Sequence, residues 1–380
     1  MTAARNHVIL FAVLFSFVLS GCRLFHHEKR DFLKDGNYER AILKLETAEQ
    51  KQPDNWRVKQ NLGIAYYKTG QLQKATTKLN QALTLNTKSI PALLYSGLSY
   101  EALASYQNAA SAYRSLKAFN ISADLKQELF ARIRENERKE ILQRLRRKIA
   151  KNQNTPDKNV NGKSVAVLYF HNVSNWTQLN PLLKGLTDLL ISDLASMKQL
   201  KVVRREELQF LLDDLQLPYF HFTNNISIPE IGKYLNCKYA ITGGIERFND
   251  TNIRINAGIV DVQTGKLLGS GIKTQGSISD LPGIEKDLLL KIIATFGIVP
   301  DQREKQMLQQ YATKNTLALI AYSKGLDYDD RSREQLARDA YSRAVSLDKS
   351  FTLARMRLQQ LPEKRLSNPE MERLIQTRIK

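Results

Sequence analysis

Cysteine is almost absent from this sequence, which contains only Cys22 and Cys237 among its 380 residues. Cys22 closes an N-terminal leader, so a single cysteine remains in the rest of the chain. One cysteine can form neither an internal disulfide nor a cysteine metal cluster, and both are therefore excluded from our expectations.

Acidic residues are also scarce, with 38 against 57 basic ones and a net charge of +19. Removing the leader, residues 1–21, takes one arginine with it and leaves +18. This excess favours acidic partners such as phospholipid head groups, lipopolysaccharide phosphates or anionic wall polymers. If the leader is a secretory signal, nucleic acid is not expected among the partners, because an exported protein rarely meets it.

Long apolar runs are missing as well. The longest one, from Val8 to Leu19, is shorter than the roughly 20 residues that a membrane-spanning helix needs. It follows Arg5 and ends in Leu19-Ser20-Gly21-Cys22, the pattern of a secretory signal. A cysteine in this context resembles the bacterial lipobox, which implies that Cys22 is acylated, with palmitate or a similar chain, after cleavage. The alternative is a plain secretory signal in which Cys22 is incidental.

The residue after the cysteine is Arg23 and not aspartate. In bacterial lipoproteins an aspartate at this position commonly retains the protein at the inner membrane. We therefore expect a lipid anchor in the outer membrane, on its periplasmic face.

Motifs for catalysis are lacking. Gly162-Lys163-Ser164 precedes a strand where a phosphate loop would follow one, and Gly97-Leu-Ser99-Tyr-Glu101 lacks the last glycine of a nucleophile elbow. Cys237 precedes a buried strand and is interpreted as a packing residue. We predict no enzyme activity, no cofactor and no metal.

A repeat of 34 residues organises the N-terminal region. Gly36, Gly70 and Ala104 lie one period apart, and so do the small residues Ala41, Ala75 and Ala109. This period with small residues at fixed places is typical of tetratricopeptide repeats, whose helix pairs stack into a solenoid. The first repeat begins almost at Cys22.

The inner helices of such a solenoid form a groove that binds extended peptides or protein segments. The residues predicted to face this groove are Arg57, Gln60, Ile64, Tyr67, Lys68, Leu94, Tyr95 and Leu98. The alternative is that the array only packs against the rest of the protein, since three repeats form a short groove.

A basic connector follows the repeats. Leu125 to Lys151 has the apolar spacing of one helix, and residues 152–162 form a polar linker. The end of the helix is densely basic, at Arg144, Arg146, Arg147, Lys148 and Lys151. It is either an arm for anionic lipid or wall polymer, or a solvated helix that caps the solenoid.

Residues 163–300 alternate strand and helix patterns and then show three strands of an antiparallel meander, with the third at Leu267–Lys273. The order predicts a mixed sheet with helices packed on it. The ordered segments that identify it are Val165–Phe170, Gly185–Leu194, Val202–Leu208, Tyr239–Gly244 and Ala257–Gly265. Together they resemble the CsgG-like domain of curli-assembly transport lipoproteins and related envelope proteins.

This resemblance implies an anticodon-binding-like α/β domain without catalytic machinery. Relatives include flagellar outer-membrane lipoproteins and lipoprotein activators of peptidoglycan synthases. The long membrane hairpins of the curli exporter have no counterpart here, because the one insertion-like stretch, Leu217–Ile228, is short and polar.

The C-terminal region, residues 301–380, contains a helix pair at Leu317–Leu326 and Glu334–Leu347. Ala337, Tyr341 and Ala344 repeat the second-helix spacing of a tetratricopeptide unit, and a third helix starts at Phe351. We expect this unit to dock on the α/β domain or on a partner. The basic tail, Lys364–Lys380, is predicted to be loosely ordered.

The predicted fold class is α+β multidomain. Its parts are a lipoprotein signal peptide (1–21), a tetratricopeptide solenoid (22–121), the basic helix and linker (122–162), a CsgG-like mixed-sheet domain (163–300) and a C-terminal helical segment (301–380). The first functional hypothesis is a non-enzymatic envelope scaffold that binds protein partners in its groove and self-associates through the α/β domain. The alternatives are an oligomeric component of a curli-type transport complex and an activator of a peptidoglycan synthase.

Overall fold

The computed structural model describes residues 36–150, 162–174, 176–217 and 227–376. The chain divides into two compact units. The helical unit comprises Met1–Glu137 together with Lys364–Lys380, and the sheet unit comprises Arg138–Glu363. The predicted C-terminal segment 301–380 is therefore shared between the two units, because the chain returns to the helical unit at Lys364.

The helical unit is built from antiparallel helix pairs. Its first helices are α1 (Tyr38–Lys51), α2 (Trp56–Lys68), α3 (Leu72–Leu85), α4 (Ile90–Ala102), α5 (Tyr106–Lys117) and α6 (Ala123–Ala150), which ends in the sheet unit. Polar side chains accept hydrogen bonds from free backbone N–H groups where helices begin: Asn37 at α1, Asn55 at α2 and Ser89 at α4. These caps explain why α1, α2 and α4 start where they do.

The small residues of the 34-residue period lie where helices approach one another. Ala41, Ala75 and Ala109 are at most 1% exposed, on α1, α3 and α5. The turn before α3 is made by Gly70, whose φ of +74° is a conformation that favours glycine. Ala104 occupies the equivalent turn before α5 with φ +54°, so the third repeat keeps this turn without its glycine.

Gly97 on α4 illustrates how closely the helices of one repeat approach. A Cβ atom at this position would lie 2.3 Å from Cε1 of the fully buried Tyr113 on α5. We expect Gly97→Ala to destabilise the helical unit by about 2 kcal/mol through overpacking, although helix propensity alone would favour alanine by about 1 kcal/mol. Urea unfolding followed by Trp56 fluorescence in a Trp176→Phe background measures this loss.

The control for this prediction is Ser115→Ala, an exposed position on α5. It should leave the unfolding midpoint of the helical unit unchanged. Equal midpoints for Gly97→Ala and the parent chain would contradict the close approach.

The sheet unit contains a mixed sheet. Its strands are β1 (Lys163–Val167), β2 (His171–Asn172), β3 (Leu200–Val202), β4 (Tyr239–Arg247), β5 (Asn252–Asp261) and β6 (Ile272–Ser277). The strand order is β3-β1-β4-β5-β6, and β2 pairs with the end of β4. Pairs among β3, β1 and β4 and between β2 and β4 are parallel, whereas β4-β5 and β5-β6 are antiparallel.

Helices cover both faces of this sheet. They are α7 (Asn180–Leu194), α8 (Arg205–Asp214), α9 (Ile228–Tyr234) and α10 (Leu281–Thr295). Val165 and Ile241 face the core shared with α7 and α10. Ala166 and Ala240, their neighbours in the sequence, point to the opposite face and to a second core with α8, α9 and the end of α6. The near-continuous apolar run of β1 is explained by this double coverage.

The third meander strand was placed too early in the chain by the sequence pattern. The prediction was Leu267–Lys273, but β6 begins at Ile272, and Leu267 makes only an isolated bridge with Val260. Gly265 and Gly269 both have positive φ, so residues 262–271 form a wide connection instead of a tight turn. Leu267 is 57% exposed, which shows that its apolar character does not serve strand packing.

The predicted C-terminal repeat lies on the sheet unit. Its helices are α11 (Gln302–Gln309), α12 (Thr316–Asp330), α13 (Glu334–Leu347) and α14 (Thr352–Gln359). Helix α12 packs along α7, where a Cβ on Gly185 would overlap the side chain of Ser323. Ala337, Tyr341 and Ala344 are fully buried, as their spacing predicted.

The described part of the tail ends in a helix, which corrects the prediction that the tail is loosely ordered. Residues Asn368–Gln376 form α15, with Met371, Glu372 and Ile375 buried in the helical unit. The order comes from tertiary contacts, since nine residues are too few to form a stable helix alone. Over the described part of the chain, no helix has the length and apolarity to cross a membrane.

Candidate functional site

The predicted groove residues lie on the inner helices α2 and α4. Ile64, Leu94, Tyr95 and Leu98 are buried. Gln60, Tyr67 and Lys68 are half-buried, and Arg57 is exposed. Cys22, the predicted lipidation site, lies outside the described residues.

The chain's own helix α15 packs on α4 in this groove. Met371 and Ile375, which are 0% and 3% exposed, join the apolar cluster that also contains Leu94, Tyr95 and Leu98. These two residues lie four apart and therefore on one face of α15. The groove thus holds the apolar face of an amphipathic helix.

A charge pair accompanies the apolar contact. Lys68 Nζ lies 2.5 Å from Glu372 Oε2, and the two side chains are 24% and 9% exposed. Lys68 Nζ also lies 5.9 Å from the ring centroids of Tyr67 and Tyr95. The two rings meet edge to face at 5.4 Å. Burial, followed by the charge of Glu372 and its hydrogen bond, raises the pKa of Tyr95 above its ordinary value, so its hydroxyl stays neutral.

A second polar contact fixes the beginning of α15. Asn368 Nδ2 donates to the Tyr67 hydroxyl at 3.3 Å, and Asn368 Oδ1 accepts from Arg132 Nη2 at 2.7 Å. Arg132 also pairs with Glu101 at 2.9 Å, and Glu101 accepts from the Tyr113 hydroxyl at 2.6 Å. The start of α15 is thereby connected to α2, α4, α5 and α6.

Glu128 on α6 binds the segment that precedes α15. Its side chain is fully buried and accepts from the backbone N–H of Leu366 at 3.0 Å and from Arg365 Nε at 3.1 Å. Arg132 Nε donates to its other oxygen at 2.9 Å. A buried carboxylate needs such partners, so the tail is an integral part of the helical unit when it is bound.

The remaining predicted groove residues make local contacts. Arg57 lies over the Trp56 ring at 4.7 Å, and Gln60 accepts a hydrogen bond from the Ser89 hydroxyl on the next inner helix. Both stand in the N-terminal half of α2, whereas Tyr67 and Lys68 stand at its C-terminal end. The predicted set therefore splits into positions that contact α15 and positions at the other end of the groove.

Sequence reasoning missed α15 as the occupant of the groove. The available signal was short: Pro369 in the first turn of a helix, Glu370 beside it, and apolar residues at 371, 374 and 375. The dominance of basic residues in Lys364–Lys380 led to the opposite prediction.

Other candidate residues have structural roles. Burial raises the pKa of the Cys237 thiol to about 12, which is consistent with its interpretation as a packing residue. Arg144 and Arg146 of the basic connector pair with Glu207 and Asp214 on α8. Among the residues that the structure describes, no group of three or more His, Cys, Asp or Glu side chains is arranged to hold a metal ion.

Comparison with known families bears on the helical unit. Residues 32–94 match the family model of the tetratricopeptide repeat. The match confirms the predicted repeat over that stretch. Tetratricopeptide repeats commonly act as protein-interaction scaffolds with protein segments in their groove, and the fold is typically not enzymatic.

The chain is also similar to solved structures, among which are the following three. The chain is similar to a tetratricopeptide repeat protein from Parabacteroides merdae, at 15% identity over 88% of this chain and 96% of that one, with a TM-score of 0.26. It is similar to the tetratricopeptide domain of P58(IPK), at 10% identity over 93% and 97%, with a TM-score of 0.30. It is also similar to lipoprotein GNA1162 from Neisseria meningitidis, at 10% identity over 36% and 98%, with a TM-score of 0.27.

With TM-scores of this size, these likenesses carry no argument about function. No curated protein matches the chain significantly.

Proposed function

We propose that this chain is an envelope lipoprotein that binds a helical segment of a protein partner in its repeat groove. The observation that carries this proposal is the seating of α15 on α4, through Met371, Ile375 and the Lys68–Glu372 pair. A surface that holds one amphipathic helix has the shape and charge to hold another.

The membrane part of the proposal rests on the sequence alone. Acyl chains on Cys22 would hold the protein on the outer membrane, since each buried CH₂ contributes about 0.8 kcal/mol and two chains suffice for stable anchoring. The excess of basic residues would then lie close to anionic lipid or wall polymer.

The sheet unit is proposed to be CsgG-like and to serve self-association or docking on an envelope complex. Support for this comes from the ordered segments between Val165 and Gly265 and from the mixed strand order in which they lie. No catalytic role is proposed for this unit.

The anchoring proposal predicts that Cys22→Ala abolishes labelling of the protein by radioactive palmitate in growing cells and removes it from the outer-membrane fraction. The matched control is Cys237→Ala, which keeps the lipobox and should keep both the label and the fractionation. Unchanged palmitate incorporation in Cys22→Ala would contradict the lipid anchor.

The binding proposal is tested by site-specific photo-cross-linking in cells. A photoreactive side chain at Arg57, in the end of the groove away from Tyr67 and Lys68, should give a discrete adduct with one envelope protein. The same side chain at Ser115, on an outer helix, should not give that adduct. Identical adducts from both positions would show that the groove is not the binding surface.

A further inference from the structure

The groove is filled by a segment that lies far from it in the sequence. Between the inner helices and α15 the chain passes through the whole sheet unit, and it re-enters the helical unit only at Lys364. A tethered segment of this kind binds as an intramolecular ligand, with an effective concentration on the order of millimolar for a short flexible tether. An external ligand must compete with it.

Arg132 and Glu128 hold the start of α15 and the segment before it, and the remaining contacts of α15 in the groove are chemically specific. Met371 and Ile375 supply the apolar face, Glu372 supplies the charge for Lys68, and Asn368 reaches Tyr67. The outer face of the same helix is solvated at Arg373 and Gln376. Because nine residues form no stable helix in water, α15 gains its order from these contacts and loses it when they are lost.

The other end of the groove offers a competitor additional contacts. Arg57 is exposed there, about three helical turns from Lys68 on the same inner helix. A helix longer than α15 could contact both ends, with one acidic residue at Lys68 and another at Arg57. Such a ligand would gain contacts that α15 does not have.

We infer that α15 is a resident ligand of the repeat groove, and that the partner is a longer amphipathic helix with acidic residues which binds by displacing it. This inference rests on the proposed function and names the class of partner that the same site takes. The apolar residues of this partner helix repeat the spacing of Met371 and Ile375, and its carboxylates pair with Lys68 and Arg57.

The first test uses the full chain and a fluorescent peptide of residues 364–376 as the probe. In the Met371→Asp, Ile375→Asp chain the tail is expected to leave the groove, and the peptide should bind at least tenfold more tightly than to the parent chain. The matched control chain is Arg373→Asp, Gln376→Asp, which also introduces two aspartates but on the solvated face, and it should bind the peptide as weakly as the parent.

The chain with Met371→Asp and Ile375→Asp is called the opened chain. A peptide that carries Met371→Asp should not bind it. Equal peptide affinity for the parent and the opened chain, with the opened chain folded by circular dichroism, would overturn the inference.

A charge exchange within the full chain keeps the inference testable if the opened chain does not fold. Lys68→Glu and Glu372→Lys should each accelerate cleavage after Arg373 by an arginine-specific protease, by tenfold or more, because each places like charges opposite each other. The double variant should restore slow cleavage. Slow cleavage in all three variants would show that the pair does not hold α15.

Two longer peptides test the length and charge of the partner. Each extends the 364–376 sequence by two helical turns with two glutamates, one peptide at the N-terminal end and the other at the C-terminal end. One of them should displace the labelled probe from the opened chain at lower concentration than the unextended peptide does. Arg57→Ala in the opened chain should remove this advantage. No advantage for either extended peptide would overturn the assignment of Arg57.

These experiments are independent of the envelope partner. Peptide exchange without a cross-linked partner would contradict the proposed function but support α15 as a resident ligand. An adduct at Arg57 without peptide exchange would support the proposed function and contradict the resident ligand. A dimer of the parent chain in light scattering, dissolved by excess peptide, would show that a second copy supplies the helix and would overturn the assignment to a separate partner.

Discussion

Arg205→Met is expected to cost the sheet unit about 3–5 kcal/mol of its free energy of unfolding, the usual loss when one partner is removed from a buried ion pair. Arg205 is 2% exposed, and two of its nitrogens contact the two carboxylate oxygens of Asp330 at 2.8 and 2.9 Å. Its Nε lies 3.3 Å from Asp188. Removing the guanidinium leaves both carboxylates buried with fewer positive charges.

The electrostatics of this cluster show why one arginine matters. Burial by itself would raise the pKa of the Asp330 carboxyl, but the charges of Arg205 and Lys184 outweigh burial and hold that pKa below its ordinary value. Glu206 is in the same situation beside Arg357, and its pKa is also lowered. Both carboxylates are therefore charged at neutral pH and depend on their cations.

The measurement is urea unfolding followed by Trp176 fluorescence in a Trp56→Phe background, so that only the sheet unit is observed. The matched control is Arg204→Met, one residue earlier, where the side chain is 48% exposed and lies 3.6 Å from Glu207. It should change the stability by less than about 0.5 kcal/mol. Similar losses for the two methionine variants would show that the buried cluster contributes little.

A double variant separates the lost pair from the unpaired charge. If Asp330 is also changed to Asn, the carboxylate that Arg205 leaves behind is removed, and part of the stability should return. The coupling energy from the four chains measures the interaction of the two residues.

The buried cluster connects helices that the sequence pattern assigned to different parts of the protein. Lys184, Asp188, Arg205 and Asp330 come from α7, α8 and α12, and the Tyr322 hydroxyl on α12 donates to Asp188. Sequence spacing shows only that Asp188 and Asp193 lie five residues apart on α7. It could not identify their actual partners, because ion pairs across helices follow from tertiary packing and leave no local period.

Periodic features were predictable because each repeats a local physical requirement. Ala41, Ala75 and Ala109 recur every 34 residues because a small side chain is needed wherever one helix pair meets the next. The limits of β6 were not predictable, because two glycines with positive φ, Gly265 and Gly269, widen the connection before it.

The occupant of the groove was not predictable for a different reason. Lys68 and Tyr95 were identified from their place in the repeat, but their contact with Glu372 joins residues that are more than 270 positions apart. The pairing of a groove with a helix depends on the path of the chain through the sheet unit. Local composition pointed the other way, since the tail is rich in lysine and arginine.

Glu285→Gln is expected to stabilise the sheet unit at neutral pH, by about 3 kcal/mol. Glu285 on α10 is 2% exposed, and its Oε1 has no hydrogen-bond partner among the described residues. Burial, followed by the charge of the neighbouring Asp193 on α7, raises the pKa of Glu285 to about 8, while Lys286 opposes this rise. Lys286 itself pairs with Asp193, the other titratable group of this cluster.

The sign of the pH dependence follows from that raised pKa. Between pH 4.5, the ordinary value, and about 8, the folded chain holds a proton that the unfolded chain has lost. Stability therefore falls as the pH rises through this window, and it is fully retained only below it. Glutamine is neutral in both states, so the variant should lose less stability between pH 5 and pH 8 than the parent. The raised pKa of Asp193 contributes a fall of the same sign in both chains.

Urea unfolding at pH 5, 6, 7 and 8, again observed through Trp176 in the Trp56→Phe background, compares the two chains. Glu363→Gln is the matched control, because that side chain is 81% exposed and its substitution should not alter the slope. The two curves should meet near pH 5 and separate steadily towards pH 8, since only the parent must keep a carboxyl protonated in its core. Parallel curves would mean that Glu285 is charged in the folded chain. Lys286 would then be the counter-ion of Glu285 and not of Asp193.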